Sequence, residues 1–183
     1  MDKNQVIVSG AMSYKGVKIV NFLKNQGLKV IGVDKYSDSS KIRADKFFKL
    51  DLRRKDSVNL LLAFCRADTL VYCPDRFMEN PFDSIDYNYP VYLNFLVNMK
   101  DKGLKNLVLC LEEKYSHPQD PYQLSQFVLR ALTDMFSQKY NFRSLVIDNN
   151  DNLLKSIKRF LITRREEGVV SGNLNNARVS PVN

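Results

Sequence analysis

The 183-residue chain contains one histidine, three cysteines and no tryptophan. With only His117 available, histidine-rich metal sites are excluded, and a histidine-based triad, which would have to use that one residue, is not expected. Cys65, Cys73 and Cys110 are odd in number and lack C-x-x-C spacing, which argues against both structural zinc and a disulfide framework. No metal site is expected. No stretch approaches 18 consecutive apolar residues, so no membrane span is expected either. The opening MDKNQVIVSG runs straight into a strand-like segment, and the expectation is a cytoplasmic chain without a signal peptide. Repeats, low-complexity tracts and long blocks of one charge sign are also missing.

What is present suits one ordinary α/β domain: 44% hydrophobic and 26% charged residues. A chain of this size buries roughly two thirds of its unfolded surface and needs no disulfide or metal to be stable. Lys and Arg number 28 against 20 Asp and Glu, a net charge of +8. Basic residues such as Lys15, Lys35, Arg43 and Arg53 alternate with Asp34, Asp45, Asp51 and Asp56. The excess reads either as a solvated basic surface or as attraction for an anion, such as a nucleotide or a nucleotide-sugar. No nucleic-acid motif accompanies it, so a nucleic-acid partner is not expected.

Short apolar runs alternate with helical patterns, the βαβ signature of a parallel sheet. Strands are predicted at Gln5–Ser9, Lys29–Val33, Lys46–Lys49, Thr69–Cys73, Asn106–Leu111 and Arg143–Ile147. Helices are predicted at Lys15–Gln26, Ser57–Ala67, Phe82–Lys102 and Gln119–Tyr140. The implied architecture is a Rossmann-like, doubly wound parallel sheet of about six strands over residues 1–150, in the order 3-2-1-4-5-6. Residues 151–183 add a basic amphipathic helix at Asn152–Thr163, then a tail rich in Gly, Asn, Ser and Val. That tail reads as a short strand or an unstructured end, and the whole segment as part of the same domain.

The first strand leads through Gly10-Ala11-Met12-Ser13-Tyr14-Lys15-Gly16 into a helix. This is the strand–turn–helix context of a phosphate-binding turn, with spacing G-x-x-G-x-x-G and Ser13 in the middle position. The outer glycines suit a tight turn and close helix–strand packing. Ser13 adds a side chain where backbone would approach phosphate. The helix N-terminus still offers N–H groups to an anion. Eighteen residues past Gly16, Asp34 ends the second strand. It is placed either to accept ribose hydroxyls or to cap the following turn. Asp51 ends the third strand, where a carboxylate can meet an adenine amine.

This order of features resembles the extended short-chain dehydrogenase/reductase family, specifically its NAD-dependent epimerase/dehydratase group acting on nucleotide-sugars. Ser9-Gly10…Gly16 resembles the family's TGxxGxxG turn, and Asp34 its acidic end of strand two. Asp51-Leu52 is similar to its adenine-side Asp-Leu, and Asn88 to the Asn of its long fourth helix. Pro121-Tyr122-Gln123-Leu124-Ser125-Gln126 resembles its Pro-Tyr-x-x-Ser-Lys helix start. The resemblance implies an NAD cofactor at Gly10, Ser13, Gly16, Asp34, Asp51 and position 126. It makes Tyr122 the catalytic acid/base. It also implies a homodimer through the helices at 82–102 and 119–140, with those aromatics that face outward among Tyr87, Tyr89, Tyr92, Phe95, Phe127, Phe136 and Tyr140 as the contact.

Three departures bear on activity. A Tyr and the Lys four residues later share a helix face, and the ammonium depresses a phenol pKa that is otherwise about 10. Here the later residue is Gln126. A neutral amide can bond a ribose hydroxyl but does not stabilise a tyrosinate. The fifth strand runs into Glu112-Glu113-Lys114 in place of the family's serines, either a solvated loop or a substitute acid/base set. Asp148-Asn149-Asn150 stands where Arg-Pro-x-Asn opens the family's substrate lobe, which is expected to be absent or vestigial. The resulting expectation is a non-catalytic relative in which NAD binding is retained or lost. It would bind or sense a nucleotide or nucleotide-sugar, or serve as an accessory subunit. The alternative is an active oxidoreductase or epimerase with a modified Tyr122 site. Cys73 and Cys110 end neighbouring strands beside this crevice, as packing groups or as a reactive thiol.

Overall fold

The computed structural model describes residues 5–36, 40–76, 80, 82–112, 117–148, 152–166 and 178–179. Each predicted strand forms: β1 (Gln5–Ser9), β2 (Lys29–Asp34), β3 (Lys46–Lys49), β4 (Thr69–Tyr72), β5 (Asn106–Cys110) and β6 (Arg143–Ile147). Their β-branched, apolar sequences alternate between two covered faces, as strands buried on both sides must. In β1, Ile7 packs into one core while Val6 and Val8 enter the other.

The helices are α1 (Tyr14–Asn25), α2 (Lys55–Phe64), α3 (Phe82–Lys102), α4 (Pro121–Tyr140) and α5 (Leu153–Glu166). Helix α2 starts two residues before the expected Ser57 and stops at Phe64 rather than Ala67, because Cys65 turns extended with φ −110° and ψ 110°. Helix α4 starts at Pro121, with Asp120 as its cap accepting from the Gln123 N–H at 2.7 Å. Proline suits that first position, where its missing N–H costs nothing.

The six strands are parallel in the order β3-β2-β1-β4-β5-β6, as expected. A two-residue β7 (Arg178–Val179) adds an antiparallel edge against Leu145 and Val146 of β6. One face is covered by α2, α3 and α4, whose Leu61, Tyr92, Phe95 and Leu129 pack on Ile7, Leu70 and Leu107. On the other, α1 and α5 set Ile19, Leu23, Ile157 and Phe160 against Val8, Val30, Val71 and Val108. The strand order reverses between β1 and β4, so a crevice opens at their carboxyl ends, where doubly wound sheets hold ligands.

Candidate functional site

The turn after β1 is stitched to β2, with the Gly10 and Ala11 N–H groups both donating to the Val33 carbonyl at 3.1 and 3.2 Å. Gly10 has φ +71°, and a Cβ on it would lie 2.1 Å from the Cys73 carbonyl oxygen. A Cβ on Gly16 would lie 2.0 Å from the Gly10 carbonyl oxygen. Both glycines are therefore required by packing alone.

Ser13 caps α1. Its hydroxyl donates to the Gly10 carbonyl at 2.7 Å and accepts from the Gly16 N–H at 3.0 Å. The side chain read as narrowing a phosphate approach thus has a structural use of its own. The buried Asp34 carboxylate accepts from the Met12 N–H at 2.8 Å and the Tyr36 N–H at 3.3 Å. It braces the turn, and each oxygen keeps lone pairs for a ligand hydroxyl. The Tyr14 and Lys15 N–H groups at the helix start have no acceptor among the described residues, and both residues face the crevice.

Two cavities occupy that crevice. The first, about 320 Å³, is lined by Tyr14, Lys15, Cys73, Arg76, Glu112 and Tyr122 among others. The second, about 560 Å³, is lined by Lys49, Asp51, Arg53, Asp83, Asp86 and Tyr87. Lys35 borders both. In the second, Asp51 is gripped by Arg53 through Nε at 3.0 Å and Nη2 at 2.8 Å. Those hydrogen bonds hold the Asp51 carboxyl below the usual carboxylate range, against the opposing effect of burial. The oxygens expected to meet an adenine amine are thus already engaged.

Lys15 reaches from α1 past the end of β4, and its ammonium donates to the Leu111 carbonyl beyond β5 at 2.5 Å. Burial lowers its pKa, while Cys110, Glu112 and Cys73 pull it back up. The sequence reading counted Lys15 only as part of a basic surface. Its place in the first turn of α1, directly before Gly16, was the available signal.

Cys73 and Cys110 are buried side by side in the cavity floor. A hydrogen bond with Cys110, together with burial, drives the Cys73 thiol well above its ordinary pKa, the opposite of thiol activation. Cys73 is therefore a packing group.

Tyr122 lines the first cavity, with the Arg76 guanidinium carbon 5.0 Å from its ring centroid. Arg76 also pairs with Glu112 at 3.2 Å. Gln126, by contrast, is wholly buried, and its amide oxygen accepts the Glu112 N–H at 2.9 Å. Its Nε2 has no partner among the described residues. Gln126 thus secures the exit of β5 and does not line the cavity in which it was expected to meet a ribose. Glu113, Lys114, Asn149 and Asn150 lie outside the described residues. Asp148 is held by Arg130 of α4 at 2.6 Å. Asn88 is buried in α3 and clamps the β4 exit, accepting from the Asp75 N–H at 2.9 Å and donating to the Asp75 carbonyl at 2.7 Å. Among the described residues, no group of three or more metal-ligating side chains forms, and no helix is long and apolar enough to cross a membrane.

Known proteins share this architecture. The solved UDP-glucose 4-epimerase of Thermus thermophilus, in complex with NAD, superposes with a TM-score of 0.71 at 21% identity, over 79% of this chain and 54% of that one. The Thermotoga maritima UDP-glucose 4-epimerase, with UDP-glucose, gives 0.70 at 16% identity over the same shares. A UDP-glucuronate 4-epimerase of Thermodesulfobacterium geofontis is 26% identical over 133 residues, 63% of this chain and 41% of that protein. The chain thus spans about half the length of these relatives or less. The model of the NAD dependent epimerase/dehydratase family matches residues 6–150, from β1 through the end of β6. Sequence match, strand order and crevice agree, and this protein belongs to the NAD dependent epimerase/dehydratase family.

Proposed function

We propose that this protein binds a nucleotide or nucleotide-sugar at the β1–β4 crevice without hydride transfer, as a sensor or an accessory subunit. The observation that carries the non-catalytic reading is Gln126, buried and bonded to the Glu112 N–H, where a cation would have to stand to make Tyr122 a base. A phenol without such a cation stays protonated at neutral pH. Support for anion binding comes from the Tyr14 and Lys15 N–H groups, the α1 dipole and the Lys15 and Arg76 side chains around one cavity. In this reading Gly10, Ser13 and Gly16 shape the phosphate turn, while Asp34 and Asp51 border the ribose and base.

The residues fit the pyrophosphate part of NAD but not its nicotinamide half, because the Lys15–Leu111 bond crosses that end of the crevice. Homodimerisation through α3 and α4 is part of the proposal. Leu124, Phe127 and Met135 form an exposed apolar stripe on α4, beside exposed Tyr89 and Val97 on α3. A cytoplasmic location and a single folding unit complete it, the latter because α5 buries Leu153, Ile157 and Phe160 in the sheet's second core.

One observation favours the second reading, an NAD-dependent oxidoreductase or epimerase acting on a nucleotide-sugar. Arg76 places its guanidinium carbon 5.0 Å from the Tyr122 ring centroid, a substitute for the missing lysine. Calorimetric titration with NAD, ADP, UDP and UDP-glucose, paired with a turnover assay, separates the two. Binding without turnover is the expected result. Turnover abolished by Tyr122→Phe would overturn the non-catalytic reading, and no binding by any of the four would overturn nucleotide binding.

A further inference from the structure

Helix α5 lines neither cavity of the crevice, yet it accounts for half of the chain's net charge of +8. It carries Lys155, Lys158, Arg159, Arg164 and Arg165 against Glu166 alone. Its apolar face is buried in the second core, so Lys155, Lys158 and Arg159 stand exposed on the outer face. Among the described residues no carboxylate pairs with Lys155 or Lys158. Helix α1, alongside, brings Lys15, Lys18 and Lys24 and no acid. Asp45, which approaches α1 from the β3 side, is held by Lys24 at 2.7 Å.

Between the C-terminal halves of these two helices lies an apolar recess of about 120 Å³. Phe22, Leu23, Leu28, Leu161 and Ile162 line it with Gln26 and Lys158, and none of these residues is acidic. The recess is remote from the nucleotide crevice. Helix α1 leaves the carboxyl end of β1 and runs to the opposite end of the sheet, where Leu28 directly precedes β2. The volume is well below the roughly 300–1,000 Å³ of small-molecule sites, and it suits a single apolar side chain.

The recess and the cations beside it call for a partner that has both an apolar anchor and negative charge. A nucleic-acid backbone would meet the cations and leave the recess empty. A membrane surface takes apolar side chains that stand out from the protein. Here Leu23 is buried, Phe22, Leu28 and Leu161 are half-buried, and Ile162 alone of the apolar lining is exposed, at 40%. The chain's own end does not supply the complement, since residues 167–183 hold a single acid, Glu167. We propose that the α1–α5 face docks an acidic peptide segment of a partner protein. One apolar side chain of that segment sits in the recess, and its carboxylates meet Lys155 and Lys158. The inference goes beyond nucleotide binding and does not depend on it.

Fluorescence anisotropy on the whole chain tests it, with labelled peptides in which Asp and Glu flank one central Phe. This peptide should bind at least tenfold tighter than versions with Lys for the acids or Ser for the Phe. Lys158→Glu should weaken it at least tenfold and Ile162→Asp at least fivefold. Both side chains are exposed, so both variants should keep cooperative unfolding. Affinity should also fall at least fivefold between about 0.05 and about 0.3 M salt, because exposed charges are screened. No binding by the acidic peptide, equal binding with Ser for the Phe, or unchanged binding in both variants would overturn the inference. A DNA duplex or phosphatidylserine vesicles binding more tightly than the peptide, with the same loss in Lys158→Glu, would assign the face to that partner and overturn it too.

Discussion

Replacing Gly10 by alanine separates two jobs that a glycine in a phosphate turn can have. A Cβ there would lie 2.1 Å from the Cys73 carbonyl oxygen and 3.2 Å from its carbon, both backbone atoms that cannot rotate away. Forcing the β4 exit back costs about 1–3 kcal/mol, as other overpacked sites do. The backbone itself, at φ +71°, adds about 1–2 kcal/mol for a residue with a Cβ. The sum is about 2–5 kcal/mol, a large share of a stability that is typically about 5–15 kcal/mol. Gly27 is the natural control. Its φ is +75°, yet a Cβ would meet nothing within 4 Å, so Gly27→Ala should cost only the backbone part, about 1–2 kcal/mol. With a urea slope of about 2 kcal/mol per M, the midpoint should fall by about 1–2.5 M for Gly10→Ala and about 0.5–1 M for Gly27→Ala. Equal shifts for the two variants would refute the packing argument. If Gly10→Ala instead left stability nearly intact and abolished nucleotide binding, the glycine would be serving a ligand. The packing result would mean that Gly10 and Gly16 persist whether or not any cofactor binds, so the turn motif alone says little about NAD.

Four further outcomes follow from individual contacts. Ser13→Ala removes both bonds of the α1 cap and should cost about 1 kcal/mol in urea unfolding; no loss would mean that another group caps the helix. Gln126→Lys restores the family's residue type but leaves the Glu112 N–H without its acceptor, a loss of about 1–3 kcal/mol, and buries a charge. It should lower the unfolding midpoint without creating NAD reduction; hydride transfer at unchanged stability would contradict the assigned position of Gln126. Burial opposes ionisation of Asp45, but hydrogen bonds from Lys24 and the Val30 N–H outweigh it and hold the carboxyl below its ordinary range. Because the folded pKa lies below the unfolded value of about 3.9, this stabilisation is complete above that value and disappears as pH falls through the folded pKa. The deficit of Asp45→Asn at pH 7 should accordingly shrink in acid; a pH-independent deficit would count against the ion pair with Lys24. Lys15, lowered by burial, should titrate below the other lysines when followed by NMR after ¹³C-methylation, and should move up when ADP is added. Titration with the bulk near about 10.4 would place it in solvent.

The sequence by itself determined the architecture. Apolar alternation in β1, β2, β4 and β5, with helical spacing such as Val91, Phe95 and Met99 between them, is a local pattern. It survives because each element must bury one stripe or two faces. Strand order followed from the alternation of strands and crossover helices, and element boundaries shifted by one to three residues, with capping chemistry deciding them at Asp120 and Cys65. The turn glycines, Asp34, Asp51 and Tyr122 were legible as candidates because motif spacing places them at strand ends and helix starts. What they touch was not legible. Gln126 sits at the expected helical position, yet tertiary packing turned its amide to Glu112, and Asp51 found Arg53 before any base. Lys15 and Lys35 line the crevice, and both reach through long side chains to partners remote in sequence, Leu111 and Asp75. Periodicity constrains which face a residue points to. It carries no information about where a flexible four-carbon side chain lands among strands brought together only by the fold. Family and sheet were therefore readable from the chain, while the lining of the crevice and the ion pair between Lys35 and Asp75 were decided by the tertiary structure.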